Sequence, residues 1–173
     1  LSVVNRLLAA GADIEATSFL RQVTGLFLAS HLGDTAVVSS LLAAGAHTET
    51  PNPDGKTALF AACVGGYAEV VTSLLAAGAN VEAQSHNGFS PLFVACYLGH
   101  TDVVERLLAR GANIETHNMG GDTTPLSIAC EEGHLDVVEM LLAAGAQLNA
   151  PNKDGTTALF VACQEGNAEL VER

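Results

Sequence analysis

Apolar residues recur along this chain in short bursts at helical spacing. Val70, Val71, Leu74 and Leu75 mark one face of a helix, and Val103, Val104, Leu107 and Leu108 mark the same face of another. Leu92, Ala95 and Cys96, at i, i+3 and i+4, define a shorter apolar face just ahead of the second burst. Between the bursts the chain is polar and rich in glycine. Stretches such as NPDGKT (52–57) and SHNGFS (85–90) carry Asp-Gly or Asn-Gly and predict hairpin-like fingers. The pattern therefore predicts pairs of short helices separated by projecting turns.

The pairs are copies of one another. NPDGKTALFAACVGG (52–66) returns as NKDGTTALFVACQEG (152–166), and the leucine pairs each run into a Gly-Ala step. The glycines of that step are Gly11, Gly45, Gly78, Gly111 and Gly145, spaced 33 or 34 residues apart. Leu26, Leu59, Leu92, Leu126 and Leu159 mark the first helix of each unit with the same period. Thr24, Thr57, Ser90, Thr124 and Thr157 are expected to cap that helix through their hydroxyls. Pro91 and Pro125 fit its first position, where a missing N–H costs nothing. Gly33, Gly66, Gly99, Gly133 and Gly166 are expected to end it. Glu69, Asp102, Asp136 and Glu169 fall in the first turn of the second helix, where its dipole favours negative charge. Helices of two turns are not stable alone, because nucleation is costly and each buries little surface. They must stack, which predicts an all-α solenoid whose core runs through every copy.

Composition narrows the function. The chain has 173 residues and is 49% apolar but only 5% aromatic, which suits small, close-packed helices. Seven Lys and Arg face nineteen Asp and Glu, a formal net charge of −12. That field repels phosphate backbones and argues against nucleic acid, while favouring a basic protein or peptide. No apolar run approaches a membrane span. The chain opens inside a helical pattern, at LSVVNRLLAAG, and shows no polar capping unit at either end, so it reads as a piece of a longer protein. The end units, Val3, Val4, Leu7 and Leu8 among them, are expected to fray first.

A unit of this length, written G-x-T-P-L-x-x-A-x-x-x-G-H-x-x-V-V-x-x-L-L-x-x-G-A, resembles the ankyrin repeat. The match is fullest in GFSPLFVACYLGHTDVVERLLARGANIE (88–115) and TTPLSIACEEGHLDVVEMLLAAGAQLN (123–149). The resemblance implies one domain with full repeats at 17–50, 51–83, 84–116 and 117–150, between partial repeats at 1–16 and 151–173. The family's histidine after T-P-L is replaced by Phe27, Phe60, Phe93, Phe160 and Ser127, so a packed aromatic is expected instead of a finger-to-helix hydrogen bond. The first finger lacks Asp-Gly and carries Phe19, Leu20 and Val23. Some ankyrin repeats are hydroxylated on the asparagine of a Leu-Asn-Ala stretch. Asn149 is the position that fits, with Glu15, Glu49, Glu82 and Glu115 standing there in the other copies.

Candidate chemistry is sparse. Cys63, Cys96, Cys130 and Cys163 repeat with the frame, and Ser30 holds their place in an earlier copy. Helices stacked about 8–10 Å apart exceed disulfide reach, and four ligands strung along a rod cannot close a zinc site. Free, unreactive thiols are expected. His100 and His134 follow helix-ending glycines, where the resemblance implies support of the inter-helix turn; Asp34, Tyr67 and Asn167 replace them elsewhere. No cofactor motif and no catalytic constellation stands out.

The positions that differ between copies carry more information. At the ends of the first helices they are His31-Leu32, Val64-Gly65, Tyr97-Leu98, Glu131-Glu132 and Gln164-Glu165. On the fingers they include Lys56, His86, Asn87, Phe89, Met119, Asp122, Thr123 and Asp154. In ankyrin-like proteins these sets line the concave face that grips partners. The expected partner site is Leu32, Val64, Lys56, His86, Phe89, Tyr97, Leu98, Glu131, Glu132, Asp154, Gln164 and Glu165. Leu32, Val64, Phe89, Tyr97 and Leu98 form an apolar run on a surface that need not be apolar. The leading reading is a non-catalytic, monomeric protein-binding scaffold inside the cell, in the cytoplasm or the nucleus. The alternative is a regulatory or targeting arm of a larger enzyme or channel subunit.

Overall fold

The structure is a computed structural model describing residues 2–19, 22–118, 120 and 123–164. Leu20, Met119, Asp122, Glu165, Gly166, Asn167 and Glu169 lie outside the described residues.

Ten helices follow one another among the described residues, with no strand between them. They are α1 (Ser2–Ala9), α2 (Gly25–Leu32), α3 (Thr35–Ala43), α4 (Ala58–Gly65) and α5 (Ala68–Ala76). Then come α6 (Pro91–Tyr97), α7 (Thr101–Ala109), α8 (Pro125–Glu131), α9 (Leu135–Ala143) and α10 (Ala158–Gln164). Two parallel rows result. Helices α2, α4, α6, α8 and α10 stack successively in one, α1, α3, α5, α7 and α9 in the other. Each hairpin, such as α4 with α5, joins the rows.

The caps form as expected. Thr57 Oγ1 accepts the Phe60 amide at 3.4 Å, and Ser90 Oγ accepts that of Phe93 at 3.1 Å. Thr24, Thr124 and Thr157 do the same for Phe27, Ser127 and Phe160. Pro91 and Pro125 begin α6 and α8. After each leucine pair the chain turns at a left-handed glycine; Gly78, at φ 91°, releases Ala79 to donate back to the Leu74 carbonyl.

The core runs through the stack without interruption. Leu59, Leu92 and Leu126 from the first row, and Val70, Leu74, Val103, Leu107 and Leu141 from the second, are at most 2% exposed. Burying each such side chain stabilises the fold by roughly 1.5–3 kcal/mol, which the two-turn helices obtain only from their neighbours. The fingers are narrow turns: Asn52 donates to the Lys56 carbonyl at 2.9 Å and Ser85 to that of Phe89 at 3.0 Å. The first finger closes differently. Ser18 bonds to Val23, Gln22 takes φ 48° without being glycine, and Phe19 stands 95% exposed.

Candidate functional site

Residues that join successive copies come first, because they hold the variable face in register. Four glutamates do this in the same way. Glu15 Oε1 accepts the His47 amide at 2.8 Å, and Glu49 Oε1 that of Asn80 at 3.0 Å. Glu82 Oε1 accepts from Asn113 at 2.7 Å, and Glu115 Oε1 from Gln147 at 2.8 Å. Asp13, Asn80 and Asn113 orient three of them, each taking the amide two residues on. The sequence reading placed these glutamates only as residues standing where Asn149 stands. The missed signal was an acid kept at one register of four successive copies, outside any helix.

His100 and His134 reach across copies as well. Neither side chain caps its own copy's second helix; instead His100 Nε2 lies 3.2 Å from the Val64 carbonyl, and His134 Nε2 3.0 Å from that of Tyr97. Each ring sits against the preceding copy's helix-ending glycine. A Cβ built on Gly99 would meet His134 Nδ1 at 2.6 Å, and its φ of 71° already disfavours other residues. The Tyr67 ring packs likewise on Gly33. Asp34 uses the same register to cap α3, accepting from Val37 at 3.0 Å. Arg110 adds another brace, donating to the Leu75 carbonyl at 2.8 Å.

The phenylalanines in place of the family's histidine are divided. Phe60 and Phe93 are buried, Phe27 is half-buried, and Phe160 is 61% exposed on α10, which packs on α8. Cys63, Cys96 and Cys130 are buried thiols. Burial pushes the Cys63 and Cys96 thiols far above the usual range and Cys130 up to about 11. Cys163 departs from the expectation of uniformly packed thiols: it is free but exposed, on the same open side of α10 as Leu159. Among the described residues no group of three or more His, Cys, Asp or Glu is placed to hold a metal, and no helix is long and apolar enough to cross a membrane.

The variable positions gather into two adjoining grooves between the first-row helices and the fingers. The larger, about 700 Å³, is bordered by Lys56, Val64, Phe89, Tyr97, Leu98 and Glu131. Its floor includes Phe60, Phe93, Val94 and Ile128. The smaller, about 390 Å³, is formed by Val23, Phe27, Leu28 and His31 with the second finger. Lys56, Phe60 and Val64 belong to both. Phe89 and Phe93 stack with centroids 5.0 Å apart, so a finger residue and a helix residue form one apolar wall. Lys56 Nζ stands 5.8 Å from the Phe60 centroid and 3.3 Å from Asp54.

Six of the twelve expected site residues thus meet in one groove. Leu32 is 64% exposed beyond it, and Glu132, Asp154 and Gln164 are exposed elsewhere; Glu165 lies outside the described residues. His86 serves as a link, its amide donating to the Asp54 carbonyl at 2.8 Å and its ring lying on Gly55. The floor residues Phe60, Phe93, Val94 and Ile128 were absent from the expected site because the repeat frame explains them as core. Neighbouring phenylalanines where the family has histidine were the available signal.

A two-row stack of short helices with projecting turns defines a helical repeat scaffold. The family of ankyrin repeats (3 copies) matches residues 1–85, 26–118, 66–152 and 92–173. The chain belongs to the ankyrin-repeat family, whose members generally mediate protein–protein interaction and are typically non-catalytic. No curated protein matches it.

Proposed function

We propose that the chain is a non-catalytic scaffold that binds a partner protein or peptide along the face formed by the first-row helices and the fingers. The observation that carries this reading is the placement of Val64, Phe89, Tyr97 and Leu98 around a single groove over an aromatic floor. Tyr97 and Leu98 are 43% and 37% exposed although the core beneath is complete without them. Apolar side chains left open on a rigid frame bind with little ordering cost. The excess of acid over base favours a basic partner through steering. Several of the groups that the sequence offered for chemistry serve the frame instead. Three thiols are buried, and the His100 and His134 rings are taken up by main-chain carbonyls.

The test compares proteins retained by the immobilised chain with those retained by the Tyr97→Ala/Leu98→Ala variant. A partner held by the parent chain and lost from the variant supports the groove. Equal retention by both moves the site elsewhere, with the exposed Phe19 finger the next surface to examine.

A further inference from the structure

Resting on that reading, we infer that the face accepts a partner segment carrying two bulky apolar side chains on either side of Lys56, with a basic residue beyond the second. Two observations lead there. The first is shape. The face is two apolar basins with a shared boundary, not one continuous trough. Leu28 and Phe27 furnish the first basin; Phe89, Tyr97 and Leu98 furnish the second. The boundary is occupied by the Lys56 ammonium, held by Asp54 and lying over Phe60. Charged atoms there favour polar partner atoms at the midpoint, while each basin favours desolvation of an apolar group. The anchors of the two basins lie on copies 17–50 and 84–116, two steps of about 8–10 Å along the stack. An extended chain covers that in about five or six residues.

The second observation is charge. Lys56 is balanced by Asp54 at 3.3 Å, so the boundary has little net charge to offer a partner. Glu131, at the far border of the second basin, is exposed, and among the described residues no basic group lines that basin except Lys56. Glu132 beside it adds a second negative charge. The two ends of the face therefore differ in electrostatic character, and that difference selects the direction in which a segment lies. A basic side chain beyond the second anchor meets a carboxylate; the reversed segment places it near Leu28, where among the described residues no carboxylate except the paired Asp54 lines the basin.

The experiment pans a random peptide library against the whole chain and against Leu28→Asp, Glu131→Lys and Tyr97→Ala/Leu98→Ala variants. Circular dichroism and thermal midpoints confirm that each is folded. The expected consensus from the parent chain has two large apolar positions about five or six residues apart and Lys or Arg beyond one of them. Leu28→Asp should erase selection at one apolar position. Glu131→Lys should turn the basic position acidic and weaken the parent peptides roughly tenfold or more. A consensus with one apolar position, or one unaltered by Leu28→Asp and Glu131→Lys, overturns this inference and leaves the groove reading standing. Peptides indifferent to Tyr97→Ala/Leu98→Ala, or no peptides at all, overturn both.

Discussion

The Nε2 atom of His134 lies 3.0 Å from the main-chain carbonyl oxygen of Tyr97. A ring from one copy thus pins the end of the preceding copy's first helix, at the residue whose side chain faces the groove. Frame and face are separable at Tyr97: the frame uses its backbone, and the face uses its phenol. Replacing His134 by Ala should remove the hydrogen bond and the ring's packing on Gly99, costing about 1–2 kcal/mol in urea unfolding. Gly99→Ala should cost at least as much, because it adds both a strained φ and a clash with that ring. If both variants unfold at the parent's midpoint, the cross-copy histidine does not support the stack.

The glutamate series makes a parallel prediction. Glu82 accepts a main-chain N–H from the next copy at 2.7 Å, a charge-assisted bond. Glu82→Ala should destabilise by about 1–2 kcal/mol, and Glu82→Gln, which keeps an acceptor oxygen, by less. Amide exchange at Asn113 should accelerate in the alanine variant beyond what the global stability loss explains. An unchanged Asn113 amide would mean that solvent protects it equally well.

Ser30 sits in the cysteine register and is fully buried, and its hydroxyl has no hydrogen-bond partner among the described residues. A buried hydroxyl without a partner costs roughly 1–3 kcal/mol. Ser30→Ala, and Ser30→Cys as in the later copies, should each raise stability, by about 1 kcal/mol. A loss in both would show that the hydroxyl is satisfied in solution.

These cases mark what the sequence made legible. The 33- or 34-residue period of Leu59, Leu92 and Leu126 gave the two rows and the core, because burial demands the same residues in every copy. The caps were equally plain, since a Thr, or Ser90 before a Pro, has one good use at that register. Cross-copy bonds were not legible. Glu82 and Asn113 are 31 positions apart, and nothing local to either residue announces the other. The groove was half legible: exposed Tyr97 and Leu98 break the frame pattern, whereas Phe60 and Phe93 obey it and so looked like core alone. Which variable positions meet, and that Leu32 and Asp154 stand apart, depends on how the copies are offset in space.

The buried thiols carry a dependence on pH. Burial raises the Cys130 thiol from about 9 to about 11, and Cys63 and Cys96 higher still. Below pH 9 these thiols are protonated whether the chain is folded or not, so they contribute no pH dependence there. Above pH 9 the unfolded chain releases protons that the folded chain retains, so stability must fall as pH rises. The loss should approach about 1.4 kcal/mol per pH unit for each such thiol until its folded form also ionises. Denaturation midpoints measured from pH 8 to 10.5 should therefore drop steeply, and a variant with Cys63, Cys96 and Cys130 replaced by Ala should drop less. Labelling at pH 8 gives an independent check: Cys163 should react at once, and the other three only as the stack opens. Equal slopes in the two proteins, or prompt reaction of all four thiols, would show that the cysteine row is not buried as described.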